Sequence, residues 1–322
     1  MRCGHFPSPW TCLLFWWFNW VVARRVGVAP NTSPHARLEK ALTEWSGGVL
    51  NGVIPTKWEK FADVVIFPEN SFRDGWECED EMWAIVADAL KVKRVGRMGE
   101  VHGKFRQSGV ELLYGEDDWV VRREHGINFG YNFTQCMWSA GNVTERGRIA
   151  NSNHEGERIL DLYAGIGYYT LPYLSEGARG ANGERGMGRG AAHVVACEWN
   201  PNAIRALKWS LEKNGVAERC TVLEGDNRMH HFEPEFDRVN LGLLPSSEDG
   251  LSIAIQALNP EGGMLHVHGL ANAGEEQRWA ESLVERLEGM GPFNCQIEHV
   301  EKVKWYAPRQ RHIVVDVRVL PV

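Results

Sequence analysis

No Cys-x-x-Cys pair occurs anywhere in the 322 residues, although the chain holds seven cysteines, at 3, 12, 78, 136, 197, 220 and 295. Without such pairs a structural zinc site is not expected, and nothing else in the sequence calls for a metal. An odd number of widely spaced cysteines makes no disulfide framework and suits a reducing compartment, the cytoplasm. The apolar stretch from Trp10 to Val22, WTCLLFWWFNWVV, is followed by Arg24 and Arg25 and falls short of the ~20 residues that span a bilayer. No membrane partner is expected on that account. A net charge of −7 carries no basic excess of the kind that advertises a nucleic-acid binder. A local patch is still enough to hold phosphates.

Residues 1–50 read as a leader ahead of the fold, disordered or non-native. Regular patterning begins near Pro55. Val64 to Phe67 is a short apolar strand closed by Pro68. Asp80 to Leu90 places Met82, Trp83, Val86 and Leu90 on one helical face. Val110 to Leu113 and Trp119 to Val121 read as further strands. The stretch 51–138 is therefore predicted to be a small α+β domain. Its Lys91 to Arg106 segment, with six cations between glycines, is its candidate phosphate contact.

From Arg158 strands and helices alternate. Strands are predicted at 159–163, 194–197, 221–223, 238–244 and 264–268, and helices at 168–175, 202–214, 247–258 and 275–287. Two last strands, 296–303 and 312–319, are joined by a short turn as a hairpin. The β-α-β-α order predicts an α/β fold. Its Rossmann-like, mostly parallel seven-stranded sheet carries helices on both faces and admits one antiparallel strand. The second domain spans 139–322. A Gly-rich insert at 176–190, EGARGANGERGMGRG, interrupts it as a flexible surface loop.

In such sheets ligands bind beyond the carboxyl ends of the strands, where strand order reverses. Asp161-Leu-Tyr-Ala-Gly165-Ile-Gly167 occupies the first of these turns. Gly165 and Gly167 allow close backbone approach. The absence of a third glycine at the Gly-x-Gly-x-x-Gly position disfavours a pyrophosphate cofactor. An acid beside the turn suits instead a cationic ligand such as S-adenosylmethionine (SAM), which carries an ammonium and a sulfonium. Glu198 ends the second strand, where a carboxylate can accept both ribose hydroxyls. It follows Asp161 by 37 positions instead of the usual ~20, and the insert accounts for the excess. Asp226 and Asn227 follow the third strand and suit an adenine amino group. Asn240 to Glu248, NLGLLPSSE, ends the fourth strand opposite the transferred group. There Asn240 offers a donor and an acceptor, and Pro245 stiffens the loop. Ser247 reads at least equally as a helix cap. His266 and His268 alternate on the fifth strand as core histidines or site residues.

Several of these runs are specific. PTKWEKF (55–61), FTQCMWSAGNVTER (133–146), DLYAGIGYYTLPYL (161–174), ACEWNPNA (196–203), NGVAERC (214–220), GDNR (225–228), NLGLLPSSE (240–248) and HIVVDV (312–317) together resemble the tRNA wybutosine-synthesising branch of the tRNA guanine methyltransferase family. The resemblance covers residues 55–322. It departs from the family at the 176–190 insert and at a short 268–279 segment.

The resemblance implies a small N-terminal domain and a SAM-binding Rossmann-like domain. It implies SAM contacts from Ser139, Arg146, Glu198, Asp226 and Asn227, with Arg146 suited to the methionine carboxylate. The implied activity moves the 3-amino-3-carboxypropyl group of SAM to C7 of 4-demethylwyosine beside the anticodon of tRNA(Phe), releasing methylthioadenosine. The related methyl transfer to tRNA guanine is the first alternative. A non-catalytic SAM- or tRNA-binding partner of a modification complex is another. Aromatic residues near the strand ends, Tyr168 and Trp199, are candidates to stack on the base.

Overall fold

The computed structural model describes residues 33–322 except 51, 77–78, 102, 104, 106, 179–183 and 185. The first element among the described residues is helix α1, Pro34–Trp45. Ser33 caps it, its hydroxyl accepting from the Ala36 N–H at 3.1 Å, and Pro34 fills the first turn, where no amide partner is needed. Leu38 and Leu42, one turn apart, are fully buried.

Strands β1 (Glu59–Phe61) and β2 (Val64–Phe67) form a hairpin, followed by helix α2 (Asp80–Leu90) and strands β3 (Arg94–Arg97) and β4 (Glu111–Tyr114). They pair in the order β1-β2-β3-β4. Alternation along β2 sends Val65 and Phe67 toward α1 and α2 and sends Val64 and Ile66 the other way, into the next unit. The expected leader is corrected here. Residues 34–45 are an integral helix of the first unit, because their apolar stripe completes the core over α2. Residues 1–32, with the Trp10–Val22 run, lie outside the described residues.

The predicted basic loop is also revised. Its centre is strand β3, and two of its cations are engaged internally. Arg94 pairs with Asp63 at 2.6 Å and Asp117 at 2.8 Å, and Arg97 is buried against Glu111 at 2.7 Å. Lys104 and Arg106 lie outside the described residues.

A hairpin of β5 (Trp119–Glu124) and β6 (Ile127–Asn132) precedes helix α3 (Val143–Asn151). Although the expected boundary placed this hairpin in the first domain, it packs on the second. The Gly130 N–H donates to Ser210 Oγ, and Asn128 bonds Asn214. The main sheet then builds from β7 (Arg158–Asp161), helix α4 (Thr170–Leu174), β8 (His193–Glu198), helix α5 (Pro201–Lys213), β9 (Cys220–Glu224), β10 (Arg238–Leu241), helix α6 (Leu251–Ala257), β11 (Gly263–Asn272), helix α7 (Glu276–Glu288), β12 (Phe293–Ala307) and β13 (Gln310–Pro321). The order is β12-β13-β11-β10-β7-β8-β9. Strands β7 to β11 are parallel, and β13 runs antiparallel between β11 and β12.

Both faces of the sheet are covered. Ile159, Val194 and Ala196 pack toward α4 and α5, while Leu160, Val195, Val239 and Leu241 face α6 and α7. Strand order reverses at β7, whose neighbours are β8 on one side and β10 on the other. Strand β12, antiparallel to an antiparallel strand, runs in the same direction as the parallel set. Its carboxyl end therefore emerges at the same edge as the tips of β7, β8, β9 and β10. Among the described residues, no helix is long and apolar enough to cross a membrane.

Candidate functional site

A cavity of about 350 Å³ opens at that edge. Its floor is the β7–α4 turn, with Leu162, Tyr163, Gly165 and Ile166. Glu198 and Trp199 from the tip of β8, Gly225 to Arg228 after β9, and Gly242 to Leu244 after β10 form its sides. Met137, Ser139 and Asn142 approach from the segment before α3, and Lys304 and Tyr306 from the end of β12.

One side of the cavity is set by Glu198. Its Oε2 accepts from the Gly165 N–H at 2.7 Å, and its Oε1 accepts from the N–H groups of Asn200 at 2.7 Å and Trp199 at 3.0 Å. Gly165 sits at φ +57°, and a Cβ there would come within 2.7 Å of the Tyr168 ring. Burial raises the Glu198 carboxyl's pKa, opposed by those three backbone donors. Asp226 caps the following turn through the Arg228 N–H at 3.0 Å, and the Arg228 guanidinium grips the same carboxylate at 2.5 Å. Those bonds hold its pKa at about 2. Asn227 is buried and donates to the Leu162 carbonyl at 2.8 Å, tying the β9 loop to the β7 loop.

Ser139, Gly165, Glu198, Asp226 and Asn227 are thus brought to one cavity. The other five predicted residues stand apart from its lining. Asp161 is fully buried beneath the turn, where it accepts from Thr170 Oγ1 at 2.7 Å, Asn240 Nδ2 at 2.8 Å and the Tyr163 N–H at 3.4 Å. Burial raises its pKa and those donors oppose the rise. It is a brace for the turn, not an open counter-charge for a ligand. Asn240 is equally buried, and its amide donor is used on Asp161. Gly167 faces inward, where a Cβ would meet Leu207 at 2.9 Å. Pro245 is exposed just past the lining residues Gly242 to Leu244.

Arg146 differs most from expectation. Its side chain is 1% exposed, and its Nε and Nη2 are held by the two Glu124 oxygens at 2.5 and 2.9 Å. Its Nη1 donates to the Ser139 carbonyl at 3.1 Å, and its guanidinium lies 4.5 Å from the Trp138 ring centre. Glu124 lies on the β5–β6 hairpin, far from any motif, so nothing local in the sequence announces this pairing.

Sequence reasoning missed Lys304, Tyr306 and Asn142. The basic–aromatic alternation of Lys302-Val-Lys304-Trp-Tyr306 was the available signal. Of the aromatic candidates, Trp199 is 44% exposed at the cavity mouth with the Phe105 ring edge against it. Tyr168 also lines the cavity, half-buried, with its hydroxyl on the Met137 carbonyl. Ser246, not Ser247, accepts from the Glu248 N–H, while Ser247 Oγ donates to the His268 carbonyl. His266 and His268 are core residues, both fully buried behind the site.

With this geometry, comparison with known proteins is decisive. The family model described as the TRM5/TYW2 methyltransferase domain matches residues 120–298, and that of the TYW2 N-terminal domain matches 39–118. The chain belongs to the TRM5/TYW2 family. Among its relatives, the tRNA wybutosine-synthesizing protein 2/3/4 of Arabidopsis thaliana is 45% identical over 82% of this chain, which spans only 26% of that longer protein. The tRNA wybutosine-synthesizing protein 2 homolog of Rattus norvegicus is 37% identical, over 84% of this chain and 72% of its own length.

Among solved structures, TYW2 of Pyrococcus horikoshii in complex with MeSAdo superposes with a TM-score of 0.71 at 26% identity, covering 89% of this chain and 99% of that one. TYW2 of Methanocaldococcus jannaschii in complex with AdoMet gives 0.62 at 25% identity, over 83% and 100%. In this TRM5/TYW2 chain the described residues of the insert at 176–190 contribute none of the cavity lining.

Proposed function

We propose that the chain transfers the 3-amino-3-carboxypropyl group of SAM to C7 of 4-demethylwyosine in tRNA(Phe), releasing methylthioadenosine and the proton of C7. The observation that carries the reading is the convergence of Glu198, Asp226 and Asn227 on one cavity at the strand-order reversal, beside the Gly242–Leu244 loop. Family membership supports it, as does the likeness to a relative whose structure holds MeSAdo.

The residues present fit SAM. In this reading Glu198, which lines the cavity, receives the ribose hydroxyls chiefly through Oε2, which carries one backbone bond against two on Oε1. Asp226 and Asn227 flank the adenine. When bound, SAM supplies a sulfonium with three attached carbons, one of which is attacked as a neutral thioether departs. The protein's task is then alignment more than charge stabilisation, because positive charge disperses in such a displacement. Gly242 to Leu244 shape the wall opposite the transferred group. Tyr163, Ile166 and Leu162 exclude water from one side. Trp199 at the mouth is placed to stack on the incoming base.

Incubation of the protein with SAM and precursor tRNA(Phe) tests the proposal through the by-product. Methylthioadenosine is expected. S-adenosylhomocysteine would establish methyl transfer in its place, and retention of SAM on the protein with no product would establish a binding role.

A further inference from the structure

We infer that Lys304 binds the carboxylate of the ligand's amino-acid arm, the role for which Arg146 is the candidate in the sequence. The inference rests on the adenosyl reading of the cavity given above.

Three cations stand in or next to the cavity, and two are neutralised. Arg228 is closed on Asp226 at 2.5 Å, and Arg146 on Glu124 at 2.5 Å. Lys304 has no carboxylate within ion-pair distance among the described residues; its ammonium donates to the neutral Ser139 hydroxyl at 2.6 Å. Of the acids of the cavity, Glu198 ends β8, and Asp226 and Asp249 come from the segments that follow β9 and β10. Lys304 comes from the end of β12 and meets Ser139, which with Asn142 belongs to the segment before α3. The cavity thus offers carboxylates to a nucleoside and a sulfonium, and an unpaired ammonium to whatever anion accompanies them. A zwitterionic amino-acid arm has that anion. Beside Lys304, Asn142 is 9% exposed, its Nδ2 donates to the Tyr169 hydroxyl at 3.2 Å, and its Oδ1 is buried without a partner. That oxygen is available to the α-ammonium of the same arm.

The fold is shaped to deliver this lysine. Lys304 and Tyr306, two residues apart near the end of β12, fall on one face of the strand by its alternation and both line the cavity. Gly141 lets the lysine stem pass: a Cβ there would lie 2.5 Å from Lys304 Cδ. Burial and the neighbouring Arg146 charge lower the Lys304 pKa. An arriving carboxylate compensates both effects.

The test is calorimetric binding of three ligands to the full chain and its Lys304→Met variant. The ligands are SAM, decarboxylated SAM and methylthioadenosine, of which only the first carries the carboxylate. The variant is expected to lose about ten- to a hundredfold in SAM affinity while binding the other two within about twofold of the parent protein. Retained binding of methylthioadenosine also reports that the variant's cavity is folded. An equal loss for all three ligands, or no loss for SAM, overturns the assignment. Failure of the parent protein to bind any of the three overturns the adenosyl reading itself.

Discussion

The Gly165 amide points at the Glu198 carboxylate, 2.7 Å from Oε2, so the first turn of the second domain is closed by the tip of the neighbouring strand. One side chain thereby shapes the loop and leaves Oε2 with acceptor capacity at the cavity. Glu198→Gln keeps the volume but replaces one oxygen by an N–H2 that must face a backbone donor. We expect SAM affinity to fall by about 1.5–3 kcal/mol, the worth of hydrogen bonds to a charged group. Titration calorimetry measures this, and an unchanged dissociation constant would remove Glu198 from the ribose.

Arg146 is expected to act through stability more than through ligand contact. Arg146→Met leaves Glu124, itself half-buried, facing an apolar side chain, with an expected loss of about 3 kcal/mol. The double variant with Glu124→Gln should recover a large part of it. Urea denaturation of the set decides the matter. Normal stability combined with abolished SAM binding would return Arg146 to the site.

The histidines behind the site titrate in opposite senses. His266 lies between Glu145 at 3.0 Å and Asp316 at 2.6 Å, with Arg148 bridging both acids. Burial alone would lower its pKa, but Asp316 and Glu145 outweigh that and raise it. His268 and His312 share a 2.9 Å contact and are held neutral by burial and neighbouring cations, His312 at about 4. A raised histidine contributes stability that is complete below its unfolded value of about 6.5 and is lost as pH climbs through its folded value. A lowered one contributes stability that is complete above about 6.5 and lost as pH falls toward its folded value. Unfolding free energy should therefore peak just above pH 6.5. His266→Asn should flatten the alkaline limb and His312→Asn the acid limb between about 6.5 and 4. Denaturant melts across pH 4–9 read both limbs; an alkaline limb unchanged in His266→Asn contradicts the assignment.

Trp199, 44% exposed on the cavity lining, suits an incoming base, as does Tyr306 at 43%. Trp199→Ala should raise the KM for tRNA by about tenfold, in keeping with ~1–3 kcal/mol for a base stacked on an aromatic ring, while leaving the SAM dissociation constant in place. Steady-state kinetics with tRNA varied at saturating SAM separates the two. A change confined to SAM binding would make the indole a wall of the nucleoside site instead.

Much of the second domain was legible because its signals are local. Runs such as Ile159 to Asp161 and Val194 to Cys197, separated by helical spacing, announce a parallel sheet through periodicities of two and 3.6. Strand β3 was read as a basic loop because Arg94 and Arg97 conceal a strand that only its neighbours β2 and β4 make apparent. Helix α1 was set aside with the Trp-rich run before it, since its burial depends on α2, some forty residues on.

The sequence by itself determined the order of elements and the acids at successive strand tips, because spacing along the chain fixes which residues close a β-α turn. Only the tertiary structure decided which charges are open to a ligand. Asp161 and Asn240 meet each other in place of the cavity, Arg146 is claimed by a hairpin 22 residues upstream, and Lys304 is carried to Ser139 across 165 positions. A charge is free or spent according to what stands within about 4 Å of it, and that distance is set by chain segments no local pattern connects.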